Sequence, residues 1–196
     1  INAGLTGTLE CSLAWGDYDN DGDLDLAIAG GEYRNKFSRI YRNDGGSFND
    51  INAGLIDVRR CSLAWGDYDN DGDLDLAIMG YTDITYITRI YRNDSGSFTN
   101  YISLTGCILG ALAWGDYDND GDLDLALTGA GGPTGRMTRI YRNDGGSFTS
   151  YISLLGIRDS SLAWGDYDND GDLDIAIAGI DGATVITRIY RNDSGS

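Results

Sequence analysis

Nine residues from Asp17 to Asp25 carry an aspartate at every odd position, Asp17, Asp19, Asp21, Asp23 and Asp25, with Gly22 at the sixth. Carboxylates so spaced on a tight turn can converge on one point, which suits a hard cation taking six to eight oxygens at about 2.3–2.6 Å; Ca²⁺ is the ion of that description. Positions 1, 3, 5 and 9 are expected to bind through carboxylates and position 7 through its backbone carbonyl. The glycine permits the sharp turn. An EF-hand opens in the same way but needs a bidentate Glu at position 12, where this chain has Ile28, Ile78, Leu127 or Ile177. The competing reading is a solvated acidic turn, and five like charges packed this closely argue against it unless a cation neutralises them.

The loop belongs to a larger repeat. The string Leu-Ala-Trp-Gly-Asp-Tyr-Asp-Asn-Asp-Gly-Asp-Leu-Asp occurs four times unchanged, with Trp15, Trp65, Trp114 and Trp164 at steps of 50, 49 and 50. A second string, Arg-Ile-Tyr-Arg-Asn-Asp, recurs from Arg39, Arg89, Arg139 and Arg188. The chain therefore reads as one array over 1–196, with repeats at about 1–50, 51–100, 101–149 and 150–196. Each repeat predicts four short strands separated by turn signals; in the first these are about Cys11 to Tyr18, Leu24 to Ala29, Ser38 to Asn43 and Phe48 to Leu55. The acidic loop is the turn between the first two. Alternation puts Leu13, Trp15, Leu24, Leu26 and Ile28 on one side and Ala14, Gly16, Ala27 and Ala29 on the other. A sheet with one bulky and one shallow face can seat itself on a copy of itself, so the expected fold class is all-β, a β-propeller of four-stranded blades. Kelch repeats have a similar period but give no reason for the acidic loop.

Composition narrows the chemistry further. The chain has a formal charge of −17 and no His, which disfavours nucleic acid as a partner and removes the commonest general base. No apolar run is long enough to span a membrane as a helix. The opening lacks both an initiator Met and a signal peptide, as expected of a mature form or a segment of something longer. Cys11, Cys61 and Cys107 fit no zinc pattern, and small buried core positions are expected, against a disulfide or a reactive thiol.

On the repeated loop, D-x-D-x-D-G-x-x-D between two strands, the whole chain resembles the FG-GAP and VCBS repeats of integrin α-subunit propellers and their bacterial and fungal-lectin relatives. It reads Ala-Trp-Gly where the Phe-Gly of the family's name would stand. The resemblance implies calcium in four loops: Asp17, Asp19, Asp21, Asp23 and Asp25; Asp67, Asp69, Asp71, Asp73 and Asp75; Asp116, Asp118, Asp120, Asp122 and Asp124; Asp166, Asp168, Asp170, Asp172 and Asp174. Four Ca²⁺ would bring the formal charge from −17 to −9. The resemblance also implies a ring, of seven blades in most members, with ligands chiefly on the face away from the metal. Four repeats leave closure open between a four-bladed ring, an eight-bladed ring of two chains, a filament, and part of a longer array. Ile1 to Leu5 repeats Ile51 to Leu55 letter for letter, so this N-terminal strand is expected to complete a last blade, in its own chain or a neighbour.

Differences among the repeats gather in the second-to-third and fourth-to-first strand connections, which an antiparallel blade puts at the end away from the metal. There lie the candidate partner-binding residues Arg34, Lys36, Arg59, Arg60, Tyr81, Tyr86, Arg136 and Arg158. Two function classes follow: a binding, adhesive or structural module for a protein partner, and a lectin stacking sugars on exposed aromatics. Self-association or continuation in a longer array is expected. No enzyme is expected, since no nucleophile and base can be paired without His. Low-affinity calcium sites fill where the ion is plentiful, which places the protein outside the cell or at its surface. Asn93-Asp94-Ser95 and Asn192-Asp193-Ser194 match N-glycosylation acceptors but lie in the repeated turn.

Overall fold

A computed structural model describes residues 3–131 and 135–193, which form antiparallel β-structure in two compact units. One unit comprises residues 3–67 and 71–108, the other residues 68–70, 109–131 and 135–193. In the first unit β1 (Ser12–Gly16), β2 (Asp25–Glu32), β3 (Asn35–Asp44) and β4 (Ser47–Asp50) form one four-stranded sheet in chain order. A second sheet runs likewise from β5 (Arg59–Gly66) through β6 (Asp75–Tyr81) and β7 (Tyr86–Asp94) to β8 (Ser97–Leu104), followed by the short β9 (Cys107–Ile108). The second unit holds β10 (Leu112–Gly115), β11 (Asp124–Gly131), β12 (Met137–Asp144), β13 (Ser147–Gly165), β14 (Asp174–Asp181) and β15 (Thr184–Tyr190), hydrogen-bonded in that order.

The register follows the alternation in the sequence. Ala14 pairs with Ala27 while Trp15 pairs with Leu26, so in the first two strands small and bulky side chains take opposite faces; the third strand adds Ile40 to the alanine face and Tyr41 to the other. Some boundaries differ from expectation. The second and third strands of the first repeat run on to Glu32 and back to Asn35, whereas β4 stops at Asp50 rather than Leu55. In the second unit the last strand of the third repeat and the first strand of the fourth are one 19-residue strand, β13, in place of the variable fourth-to-first connection that the sequence leads one to expect. Its first half pairs with β12 and its second with β14, with an irregularity in register between Arg158 and Ser161. Asp159 there has a φ of 48°, and Glu10, Arg60 and Leu109, at the same place in their repeats, have 47°, 52° and 54°. A left-handed residue at a bulge lets the strand turn without breaking its ladder.

Sheets stack large on small. In the first unit the Trp65 indole N–H donates to the Ala14 carbonyl at 3.1 Å, and a Cβ on Gly16 would lie 2.8 Å from the Trp65 ring. In the second unit Trp164 repeats this on Ala113, at 3.2 Å, and Gly115, again at 2.8 Å. Beside these seats Tyr18 stacks on Trp65 with centroids 6.2 Å apart, and Tyr68 on Trp114 at 6.3 Å. Such ring pairs add about 0.5–1.5 kcal/mol beyond the area they bury. Ile40, Leu76, Ile78 and Val58 complete the core of the first unit, and Ile140, Ile157 and Ile177 that of the second.

Three expectations need correction. The described part of the N-terminal segment, residues 3–8, is not a strand; Leu5 packs on Leu26, Ile28, Phe37 and Tyr41 of the first sheet, and Ile1 and Asn2 lie outside the described residues. Of the cysteines Cys107 is buried and Cys61 half-buried, but Cys11 is exposed because, among the described residues, no sheet stacks on its face of the first sheet. The glycosylation reading fails at Asn93 and Asn192, which are buried with their amides donated to backbone carbonyls; Ser194 of the second motif lies outside the described residues. Among the described residues no helix is long and apolar enough to cross a membrane.

Candidate metal centre

Each acidic loop is built by its own side chains. In the first, Asp17 accepts from the backbone N–H groups of Asp21 at 3.1 Å and Gly22 at 3.0 Å, and Asp21 accepts from Asp23 N at 2.9 Å. Asn20 and Gly22 take the left-handed φ values of 58° and 94° that close the turn. The same bonds and angles recur in the other loops; no neighbour lies within 4 Å of a Cβ at Gly22, Gly72, Gly121 or Gly171, so glycine is needed there for conformation and not for space.

This folding brings carboxylates together. Oxygens of Asp17, Asp19 and Asp25 lie within 4.8 Å of one another, and so do those of Asp116, Asp118 and Asp124 and of Asp166, Asp168 and Asp174. In the second loop the three that gather are Asp67, Asp69 and Asp71. Positions 1, 3 and 9 thus converge in three loops and positions 1, 3 and 5 in the other. Position 9 is held rigidly: Asp25 is fully buried and accepts from the backbone N–H of Tyr18 at 3.1 Å and of Asn43 at 2.8 Å. Asp19 and Asp118 each turn one buried oxygen, Oδ1, into the loop with no hydrogen-bond donor facing it. A buried carboxylate oxygen without a donor is costly, and a cation is the partner that this donor set fits.

Position 7 joins none of these clusters. One oxygen of Asp23 accepts from Gly45 N at 2.9 Å, and Asp73 and Asp122 do the same for Ser95 at 2.8 Å and Gly145 at 2.7 Å, tying the acidic loop to the next turn of its own sheet. The other oxygen receives the amide of an asparagine from the preceding loop: Asn20 to Asp73 at 3.0 Å, Asn70 to Asp122 at 2.8 Å and Asn119 to Asp172 at 2.6 Å. A second asparagine, in the Arg-Asn-Asp turn, spans neighbours as well: Asn93 donates to the carbonyls of Tyr18 at 2.8 Å and Leu74 at 3.1 Å. Sequence reasoning passed over both asparagines, although their recurrence in all four repeats was the signal.

The electrostatics agree with a site shaped for a cation. Burial, with the charges of Asp118 and Asp120 behind it, pushes the Asp124 carboxyl up to about 6, against the two backbone N–H groups that favour its ionised form. Burial and neighbouring carboxylates likewise raise Asp19, Asp25, Asp118 and Asp168.

The end of the first unit away from these loops collects most of the expected partner residues. Arg59 pairs with Asp83 at 3.2 Å and Glu10 at 3.7 Å, Arg60 with Glu10 at 3.3 Å, and Lys36 with Asp83. The Arg59 guanidinium sits 5.1 Å from the Tyr81 ring centre, Tyr81 meets Tyr86 edge-on at 5.5 Å, and Arg34 lies over Tyr33 at 5.9 Å. These residues form one cluster, and much of its cationic charge is spent on Glu10 and Asp83. Tyr33, Tyr86 and Ile84 remain exposed around it. Close by in the chain, Gly7, Thr8, Leu9, Gly31, Glu32 and Asn35 line an open pocket of ≈ 330 Å³. In the second unit Arg136 pairs with Asp181 at 3.6 Å and Arg158 with Asp159.

Among solved structures, the V. cholerae biofilm matrix protein Bap1 is similar at 16% identity with a TM-score of 0.43, over 87% of this chain and 35% of that one. No curated protein matches. The family described as FG-GAP-like repeat matches residues 17–78 and 116–177, segments that take in the first two and the last two acidic loops. With more than half of its length so matched, the chain belongs to the FG-GAP-like repeat family.

Proposed function

We propose that this chain is a calcium-stabilised propeller module of an extracellular or cell-surface protein that acts by binding, in adhesion or as a structural unit, and not by catalysis. The observation that carries the reading is the convergence of three carboxylates in each of four loops, with donorless buried oxygens at Asp19 and Asp118. Calcium would be held by positions 1, 3, 5 and 9 of each loop, with the carbonyl of position 7, whose carboxylate is engaged elsewhere. Bound there, it would neutralise the crowded charge and fix the loops. Sites of this class in extracellular modules bind at about 10⁻⁴ to 10⁻³ M, which suits a compartment where calcium is abundant. Calorimetric titration of calcium into chelator-stripped protein is expected to give about four sites per chain; no heat of binding at millimolar calcium would refute the reading.

A partner would meet the end away from the metal, where variable loops stand on a rigid scaffold. A lectin is the second reading, favoured by the exposed rings of Tyr33 and Tyr86 in the same unit as the open pocket at Glu32 and Asn35. A glycan array separates the two: sugar-specific signal that is lost on Tyr33→Ala supports the lectin, and a blank array in calcium removes it.

A further inference from the structure

The joint between sheets is made of the same residues in each unit, and among the described residues each half of it is also present without a partner. On the bulky side, Leu13, Trp15 and Leu24 of the first sheet are 58%, 56% and 56% exposed. Their counterparts in the second sheet, Leu63, Trp65 and Leu74, are covered by stacking. On the shallow side, Ala163, Gly165 and Ala176 of the last sheet are exposed, Tyr167 is 56% exposed and Ile189 61%. The matching Tyr18 and Ile40 of the first sheet are 3% and 0% exposed under the second sheet, and nothing lies within 4 Å of a Cβ at Gly165.

Hydrogen bonds show the same two halves. Asn93, Asn143 and Asn192 each reach the carbonyl of a tyrosine in the preceding repeat, Tyr18, Tyr68 and Tyr117, whereas Asn43 in the first sheet reaches only Leu24 of its own turn. The unpartnered faces are thus donor and acceptor of one interface. A patch of exposed Leu and Trp is the kind of surface that soluble proteins cover.

We propose that the first sheet of one copy stacks on the last sheet of a second copy, reproducing the internal joint head to tail. Trp15 seats on Gly165 and Ala163 of the partner copy, its indole N–H donating to the Ala163 carbonyl as Trp65 does to Ala14. Tyr167 stacks on Trp15, and Asn43 gains the Tyr167 carbonyl. Beside the last sheet a cavity of ≈ 340 Å³ lined by Tyr117, Ile140, Ile152, Leu154, Ile175 and Tyr190 is open. At the corresponding place in the first unit Phe98 of β8 packs on Tyr18 with ring centroids 5.5 Å apart, whereas the last sheet has no fourth strand among the described residues. The interface is heterologous, one patch meeting a different one, so each copy offers both halves. It rests on the sheet faces and not on the calcium assignment.

The test uses the 196-residue chain in millimolar calcium and two variants. Trp15→Ala removes the knob from an exposed position, and Gly165→Leu fills the seat where no neighbour is displaced. Sedimentation is expected to show the unaltered chain above its 21.1 kDa monomer mass, each variant at that mass, and their equimolar mixture at twice it, since the intact tail of one meets the intact head of the other. Rescue on mixing excludes misfolding as the cause of either loss. Alkylation of Cys11, the exposed thiol on the same face, is expected to slow in the assembled protein and recover in Trp15→Ala. An unaltered chain at 21.1 kDa, variants that still assemble, or a mixture that stays monomeric each overturns the proposal.

Discussion

Removing calcium is the perturbation that bears most directly on the fold. An ion that binds the folded loops and not the unfolded chain stabilises by RT ln(1 + [L]/Kd) per site. At 10 mM calcium and a Kd of about 10⁻⁴ to 10⁻³ M, each site contributes about 1.4–2.7 kcal/mol. Four carboxylate clusters raise this to about 6–11 kcal/mol, comparable to the whole stability of an average domain. Shared between two units of about 100 residues, even the lower figure moves a melt by about 10 °C. The assay is a pair of thermal scans by circular dichroism or calorimetry, in 10 mM calcium and in excess chelator at matched ionic strength. Matching removes the screening effect that added salt alone has on a chain of charge −17. Melts that coincide within about a degree would show that the clusters hold no stabilising ion.

Protons compete for the same oxygens, and the sign of their effect depends on calcium. Without the ion, the Asp124 carboxyl, at about 6 in the fold against 3.8 as its ordinary value, binds its proton more tightly folded than unfolded, so this group makes stability fall as pH rises from about 4 to 6. Calcium keeps it ionised and reverses the slope, so the holo-protein loses stability as pH falls below about 6; urea titrations at pH 5 and 7, with calcium and with chelator, are expected to cross over. Gly115→Ala places a methyl 2.8 Å from Trp164 and is expected to cost about 1–3 kcal/mol, read as a lower urea midpoint. Gly165→Ala, at the same place in the last repeat with an empty surround in the single chain, is expected to change the stability of the unassembled chain by less than about 1 kcal/mol.

Local pattern made the loops and their flanking strands legible. Alternation from Leu13 to Gly16 and from Leu24 to Ala29 separates bulky from small directly; the loop spacing leads one to expect carboxylates 1, 3, 5 and 9 on one ion, and the structure gathers 1, 3 and 9 in three loops and 1, 3 and 5 in the second. What escaped depends on residues distant in sequence. The loop pattern sets position 7 apart as a backbone-carbonyl ligand, but the engagement of the Asp23 carboxylate with Gly45 depends on a turn 22 residues away and cannot be read from the loop. The pairing of Arg59 with Glu10 and Asp83, 49 and 24 residues away, consumes charge that composition alone leaves free for a partner. The 19-residue β13 is not legible in the sequence because Leu155 to Ser160 differs from its counterparts, and variability at that place has the look of a loop. Cys11 and Cys61 sit at the same repeat position, yet only Cys61 is covered by stacking, so position in the array decides burial as much as residue type does.

The Trp-on-Gly joint also bears on how such a chain can change length. Trp65 on Gly16 and Trp164 on Gly115 are the same contact made by non-consecutive pairs of repeats, so the joint carries no address that distinguishes one repeat from another. Near-identical coding segments are prone to unequal recombination, which deletes or duplicates whole repeats in phase. In most folds an excision of about 50 residues leaves two surfaces that were never shaped for each other. Here it would bring one Trp face against another Gly face, already complementary. The number of repeats can therefore drift without passing through an ill-packed intermediate, and selection can act on length alone.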